Sequence, residues 1–153
     1  MCIHGKVIAP YHQAKWIIMS SFGFIGTAVY ALFKNYYGYG CLSACIGICS
    51  INHWRNPRYG LIRNIDITVA YTSAVLYIIN GFLYVKVPII KYTGIPMVSV
   101  ILYAYKFSDN IHKQYPDKSY WVKYHVLFHL IAVFQIFIIT YFNNKNKTNE
   151  ITI

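Results

Sequence analysis

The chain has 153 residues, of which 57% are hydrophobic, 18% aromatic and 12% charged, with a formal net charge of +10. A soluble domain carries about 25% charged residues, so this composition excludes an ordinary soluble enzyme and points to an all-α, polytopic transmembrane helix bundle. The charge calls for no nucleic-acid partner, because lysines and arginines beside membrane spans are drawn to anionic lipid headgroups.

An α-helix needs roughly 17 to 25 largely apolar residues to cross the hydrocarbon, and five stretches qualify. The opening "MCIHGKVIAPYHQAK" is polar and lacks the apolar core of a cleavable signal peptide, so the first crossing is expected to serve as the targeting signal. That crossing is 15–33 ("KWIIMSSFGFIGTAVYALF"). The second is 36–54 ("YYGYGCLSACIGICSINHW"), in which Cys41, Cys45 and Cys49 recur every four residues and lead on to His53. Such a stripe reads as a small-residue face for close helix packing, with a narrower reading in which Cys49 and His53 both face a metal. Disulfides between consecutive stripe positions of one helix are not expected, and Cys2 stands alone near the N-terminus.

A basic loop with Arg55, Arg58 and Arg63 precedes the third stretch, 65–85, which opens on Asp66. The fourth, 87–105, holds Lys91 and Pro96 and reads as a kinked span or a re-entrant piece. The fifth, 121–142, carries His125 and His129 four residues apart. The polar "NNKNKTNE" that follows reads as a disordered end, which makes 1–142 one membrane domain and 143–153 a tail.

With five crossings, the N-terminus and the second and fourth loops fall on one side. That side holds Lys6, Lys15, Arg55, Arg58, Arg63, Lys106, Lys113, Lys118 and Lys123; the other holds Lys34, Lys86, Lys91, Lys145 and Lys147. The excess predicts a cytoplasmic N-terminus and an exoplasmic C-terminus. Trp16, Trp54 and Trp121 all fall at segment ends on the same side, where indole rings favour the headgroup level.

This topology carries four polar residues to one membrane depth: His53 at the end of the second segment, Asp66 at the start of the third, and His125 and His129 in the first turns of the fifth. Ionisable groups in spanning segments are costly and mark sites facing the bundle interior. Histidines four apart on a helix share a face and can share a metal. His53 would complete the three protein ligands of a catalytic zinc, with Asp66 orienting or deprotonating a water beside it. The plainer readings are hydrogen-bonded core histidines and a helix N-cap at Asp66.

The residues "CSINHW" with His53, "RNIDIT" with Asp66 and "HVLFH" with His125 and His129 resemble a superfamily pattern: Ser and His late in a second helix, Asp early in a third, HxxxH early in the last. That superfamily groups alkaline ceramidases, adiponectin and progestin receptors and the Per1-type GPI-lipid remodelling proteins. The resemblance implies a zinc-dependent amide or ester hydrolase acting on a membrane lipid substrate, with the three histidines as ligands and Ser and Asp beside the reacting water. Those families have seven spans, and their serine precedes the histidine by four residues. Here that position is Cys49, with Ser50 three before His53, so either is a candidate donor to the developing oxyanion. Arg55, Arg58 and Arg63 would hold an anionic headgroup. Two rival readings are a structural or assembly subunit of a membrane complex or viral envelope, whose histidines act as polar glue, and a haem-binding electron carrier with His53 and a helix-five histidine as axial ligands.

Overall fold

The computed structural model describes residues 6–84, 88–115 and 118–151, leaving aside the side chains of 84, 89–91, 95 and 143–151. Cys2, Lys86 and the side chains of Lys91, Lys145 and Lys147 therefore lie outside the described residues. The described architecture is all-α, with five helices in chain order: α1 (Tyr11–Phe33), α2 (Tyr37–Arg55), α3 (Leu61–Tyr84), α4 (Pro88–Gln114) and α5 (Tyr120–Ile151). Three of them, α1, α3 and α5, are long and apolar enough to cross a membrane.

The α1–α2 hairpin is the best-packed part of the bundle. Its three-residue link turns at Asn35, whose φ of 61° is left-handed, a conformation asparagine tolerates better than most side chains. Beyond the turn, a Cβ on Gly40 would stand 2.6 Å from the Leu32 Cγ, and one on Gly47 would stand 2.6 Å from the Ile25 Cδ1. The small-residue face is therefore buried Gly40, Ser43, Gly47 and Ser50, and the cysteine stripe is not the packing face: Cys41 and Cys45 are exposed and Cys49 half-buried. The reason is helical drift. At about 100° per residue, each step of four residues turns about 40°, so a stripe that begins outward at Cys41 has rotated into the bundle by His53, which is 3% exposed.

Two further expectations change. α4 runs past 105 to Gln114, because "KFSDNIHKQ" contains no glycine or proline to stop it. It thereby carries Ser108, Asp109 and His112 on the helix itself. α5 likewise continues to Ile151 through the stretch expected as a polar tail. Of the three tryptophans, only Trp16 is exposed; Trp54 and Trp121 are 5% and 2% exposed and pack ring to ring at 5.8 Å. They build a floor inside the bundle together with Ala9, Ala14, Ile17 and Val122.

The N-terminal segment closes this floor. Ile8 N–H donates to the Pro57 carbonyl (2.8 Å) and Tyr59 N–H to the Lys6 carbonyl (3.0 Å), pairing the chain start antiparallel to the α2–α3 loop. α4 packs on α5 and α5 on α1, while α3 leans on α2 and touches α4 and α5 sparingly. The loose fit of α3 leaves a cavity in the middle.

Candidate functional site

The cavity has a volume of about 180 Å³, and its wall includes Ser50, His53, Asp66, His125 and His129. Residues from α2, α3 and α5 that are distant in sequence thus face one space. Four elements meet there because antiparallel connection brings the end of α2, the start of α3, the end of α4 and the start of α5 to one level.

His125 and His129 lie one turn apart on α5, with ring centroids 4.9 Å from each other. The His53 ring lies 4.8 Å from that of Trp54, tilted by 56°, and Trp54 meets His125 edge-on at 5.0 Å. Phe24 of α1 stands edge-on to His129 at 5.4 Å. These contacts hold the rings by aromatic packing, which fixes orientation better than a flexible polar contact would.

His129 is fixed further by α1. The Ser20 and Ser21 hydroxyls both donate to the Ile17 carbonyl, each at 2.8 Å. Ser20 Oγ also lies 2.8 Å from His129 Nδ1, a contact in which either partner donates according to the imidazole tautomer. With the proton on Nδ1, the Nε2 of His129 is the bare lone pair, the form in which a neutral imidazole ligates a metal. Ser50 Oγ and Ser21 Oγ share a hydrogen bond at 3.0 Å. Ser50 is 3% exposed and borders the cavity, whereas Cys49 is not on its wall.

The Nδ1 of His53 is buried with no hydrogen-bond partner among the described residues. Leaving such a group unmade costs about 1 to 3 kcal/mol, so an orphaned nitrogen on a cavity wall is a mark of a ligand site. Three neutral imidazoles, one fixed by a serine and one orphaned, suit zinc in donor type and number. As the side chains stand, however, no group of three His, Cys, Asp or Glu among the described residues is close enough to hold a metal ion. The donor set fits; the side chains are not drawn together around an ion.

Of the three arginines expected in a loop, only Arg58 is in one, Arg55 ending α2 and Arg63 lying in the first turn of α3; only Arg63 borders the cavity, its guanidinium 5.1 Å from the Tyr59 ring centre. Arg55 and Arg58 are exposed, and Arg58 Nε donates to Asn56 Oδ1 at 3.1 Å.

Among the polar residues at or beside the cavity that escaped the sequence reading are Ser20 and Ser21 of α1, and Tyr105, Ser108, Asp109 and His112 of α4. Ser108 Oγ donates to the Trp121 carbonyl at 3.0 Å, and the His112 ring lies 4.6 Å from the Trp121 ring. Burial lowers the pKa of His112 below its ordinary value, opposed by the negative charge of Asp109. A signal for this group existed: Ser108, Asp109 and His112 are one turn apart if the helix continues beyond 105. Likewise the pair Ser20–Ser21 interrupts an otherwise apolar run.

No family model, no curated protein and no solved structure matches this chain.

Proposed function

We propose that the chain is a membrane-embedded, zinc-dependent hydrolase that cleaves an amide or ester bond in a lipid. The observation that carries this reading is that Ser50, His53, Asp66, His125 and His129, selected from sequence alone, all border one cavity. His53, His125 and His129 would hold the zinc. Bound there, zinc would polarise the scissile carbonyl and make a water acidic enough to attack at neutral pH.

The remaining steps belong to the chain's own groups. Asp66 accepts the proton of the attacking water on its carboxylate and returns it to the leaving group. Ser50 turns its hydroxyl from Ser21 toward the carbonyl oxygen as negative charge develops there. His129 is held by Ser20, so its ring keeps one orientation through the cycle. Apolar walls from Ile46, Ala74, Ile101 and Ile136 take the lipid chain and keep bulk water out.

The orientation follows the basic residues. Five crossings with the N-terminus cytoplasmic place the site near the cytoplasmic interface. Single-cysteine accessibility labelling is expected to find the two termini on opposite sides, and finding both on one side contradicts this topology.

Purified protein is expected to contain about one zinc per chain, and His53→Ala, His125→Ala and His129→Ala each to lose most of it, since three protein ligands are the usual catalytic set. Zinc retained in the triple variant, or absent from the wild type, overturns the reading. One observation favours a second reading, a structural or assembly subunit: the histidines are not gathered around an ion, and His129 already ties α5 to α1 through Ser20. In that case the triple variant loses stability and no metal.

A further inference from the structure

At the α4 side of the cavity two more buried polar atoms have no hydrogen-bond partner among the described residues: Nδ1 of His112 and Nε1 of Trp121. Both residues border the cavity, and neither belongs to the His53, His125 and His129 set. Trp121 is 2% exposed, so its N–H has no access to solvent either. Indole N–H is a donor only, and a buried donor left unmade costs about 1 to 3 kcal/mol. The bundle retains this cost in two adjacent rings, 4.6 Å apart. A small turn of the two rings toward the cavity would let a ligand oxygen accept from Trp121 Nε1–H, pair with His112 Nδ1 and remove that cost.

The charges around the two rings decide what kind of oxygen. Arg63 is the cation of the wall; Asp66 and Asp109 are its carboxylates. Asp109 is paired with Lys113 at 2.6 Å, which leaves the charge of Arg63 opposed by Asp66. Before any metal binds, such a wall has no surplus positive charge to offset that of a phosphate, whose desolvation in a water-poor setting would go uncompensated. Anion sites gather arginines in forks around the ligand, and Arg55 and Arg58 stand outside this cavity.

We infer that Trp121 and His112 form a subsite for an acceptor oxygen, a hydroxyl or carbonyl, of an uncharged lipid headgroup. This replaces the anionic headgroup expected from the arginine triplet. The subsite deepens the reading of the cavity as a lipid-hydrolysing site and rests on it, yet binding there needs no zinc.

The test is a fluorescence titration of the purified, chelator-treated full chain in detergent micelles. The probes are a fluorescently tagged diacylglycerol and a tagged phosphatidic acid with identical acyl chains. The diacylglycerol is expected to bind at least about 10-fold more tightly, and His112→Phe, which keeps a ring against Trp121, to weaken it by about 10-fold, the worth of roughly one hydrogen bond. Trp121→Phe is expected to act in the same direction. Phosphatidic acid binding as tightly as diacylglycerol overturns the inference, and so does wild-type diacylglycerol binding by His112→Phe. The first comparison uses the wild type, so a variant that fails to fold does not leave the question open. Missing zinc or missing turnover would sink the hydrolase and leave this titration standing; a failed titration beside intact turnover would sink the subsite alone.

Discussion

The two ends of the bundle treat buried polar groups in opposite ways. At the end where α1 turns into α2, Tyr77 O–H donates to the Tyr39 carbonyl at 2.9 Å and Ser43 Oγ completes the junction at 2.6 Å from the same phenol. Thr27 and Thr140 donate back to the Phe24 and Ile136 carbonyls of their own helices. Tyr36 OH is the exception there. At the other end, His53, His112 and Trp121 each leave a buried nitrogen without a partner among the described residues and border the cavity, while Gln13 Oε1 is a fourth such atom, on a residue that does not line it. Satisfied polar groups bind helices to one another and need nothing further. Orphaned ones gathered on one wall lower the stability of the empty bundle and favour whatever enters it. The contrast separates an end whose buried polar groups are mostly paired from an end that leaves three nitrogens open beside a cavity.

That comparison can be broken by substitution, and the largest effect is expected at Asp66. Asp66→Asn keeps the shape and a hydrogen bond but cannot take a proton. Turnover of a fluorescent lipid amide or ester should fall by about 100-fold or more while zinc content changes little. α3 begins at Leu61, so Asp66 lies in its second turn and is not the helix N-cap expected as the plainer reading; wild-type activity in Asp66→Asn would exclude it as the base.

Ser50→Ala is expected to lower kcat by about 100-fold, the usual worth of one oxyanion donor, whereas Cys49→Ala leaves kcat unchanged because Cys49 is not on the cavity wall. The reverse outcome would restore the four-residue spacing of the resembled families.

At the end where α1 turns into α2, Ser43→Ala should cost about 1 kcal/mol of stability, the net worth of one buried hydrogen bond, with zinc content and turnover unchanged. A loss of zinc in this variant would show that the two ends are coupled. The smallest effect is expected in Arg55→Ala and Arg58→Ala: less than about 2-fold on turnover, since solvated charges of this kind contribute little.

The helices were legible because apolar runs of spanning length are a strong signal: the described residues of 15–33, 36–54, 65–85, 87–105 and 121–142 fall on one helix each, save Tyr36 just before α2. That His53, Asp66, His125 and His129 would border one space was legible too, since antiparallel connection of successive helices fixes which ends share a level. What could not be read was rotation about each helix axis. Four-residue spacing makes the cysteines look like a packing face; the stripe starts outward at Cys41 and drifts into the bundle only by His53, and the packing face is Gly40, Ser43, Gly47 and Ser50. Trp54 and Trp121 looked interfacial from their place at segment ends, and their burial depends on the N-terminal segment folding under the bundle. Apolarity ends at Tyr105 while α4 continues to Gln114, so His112 was assigned to a loop and its contact with Trp121 was invisible.

The central claim, that the histidine end of the bundle is a zinc site, is tested most directly by X-ray absorption at the zinc edge of the purified full-length protein. The account predicts a first shell of about three imidazole nitrogens at about 2.0 to 2.1 Å with one light-atom neighbour and no sulfur. A shell with sulfur at about 2.3 Å would assign the metal to the cysteine stripe, and either that result or the absence of any zinc edge would contradict the claim.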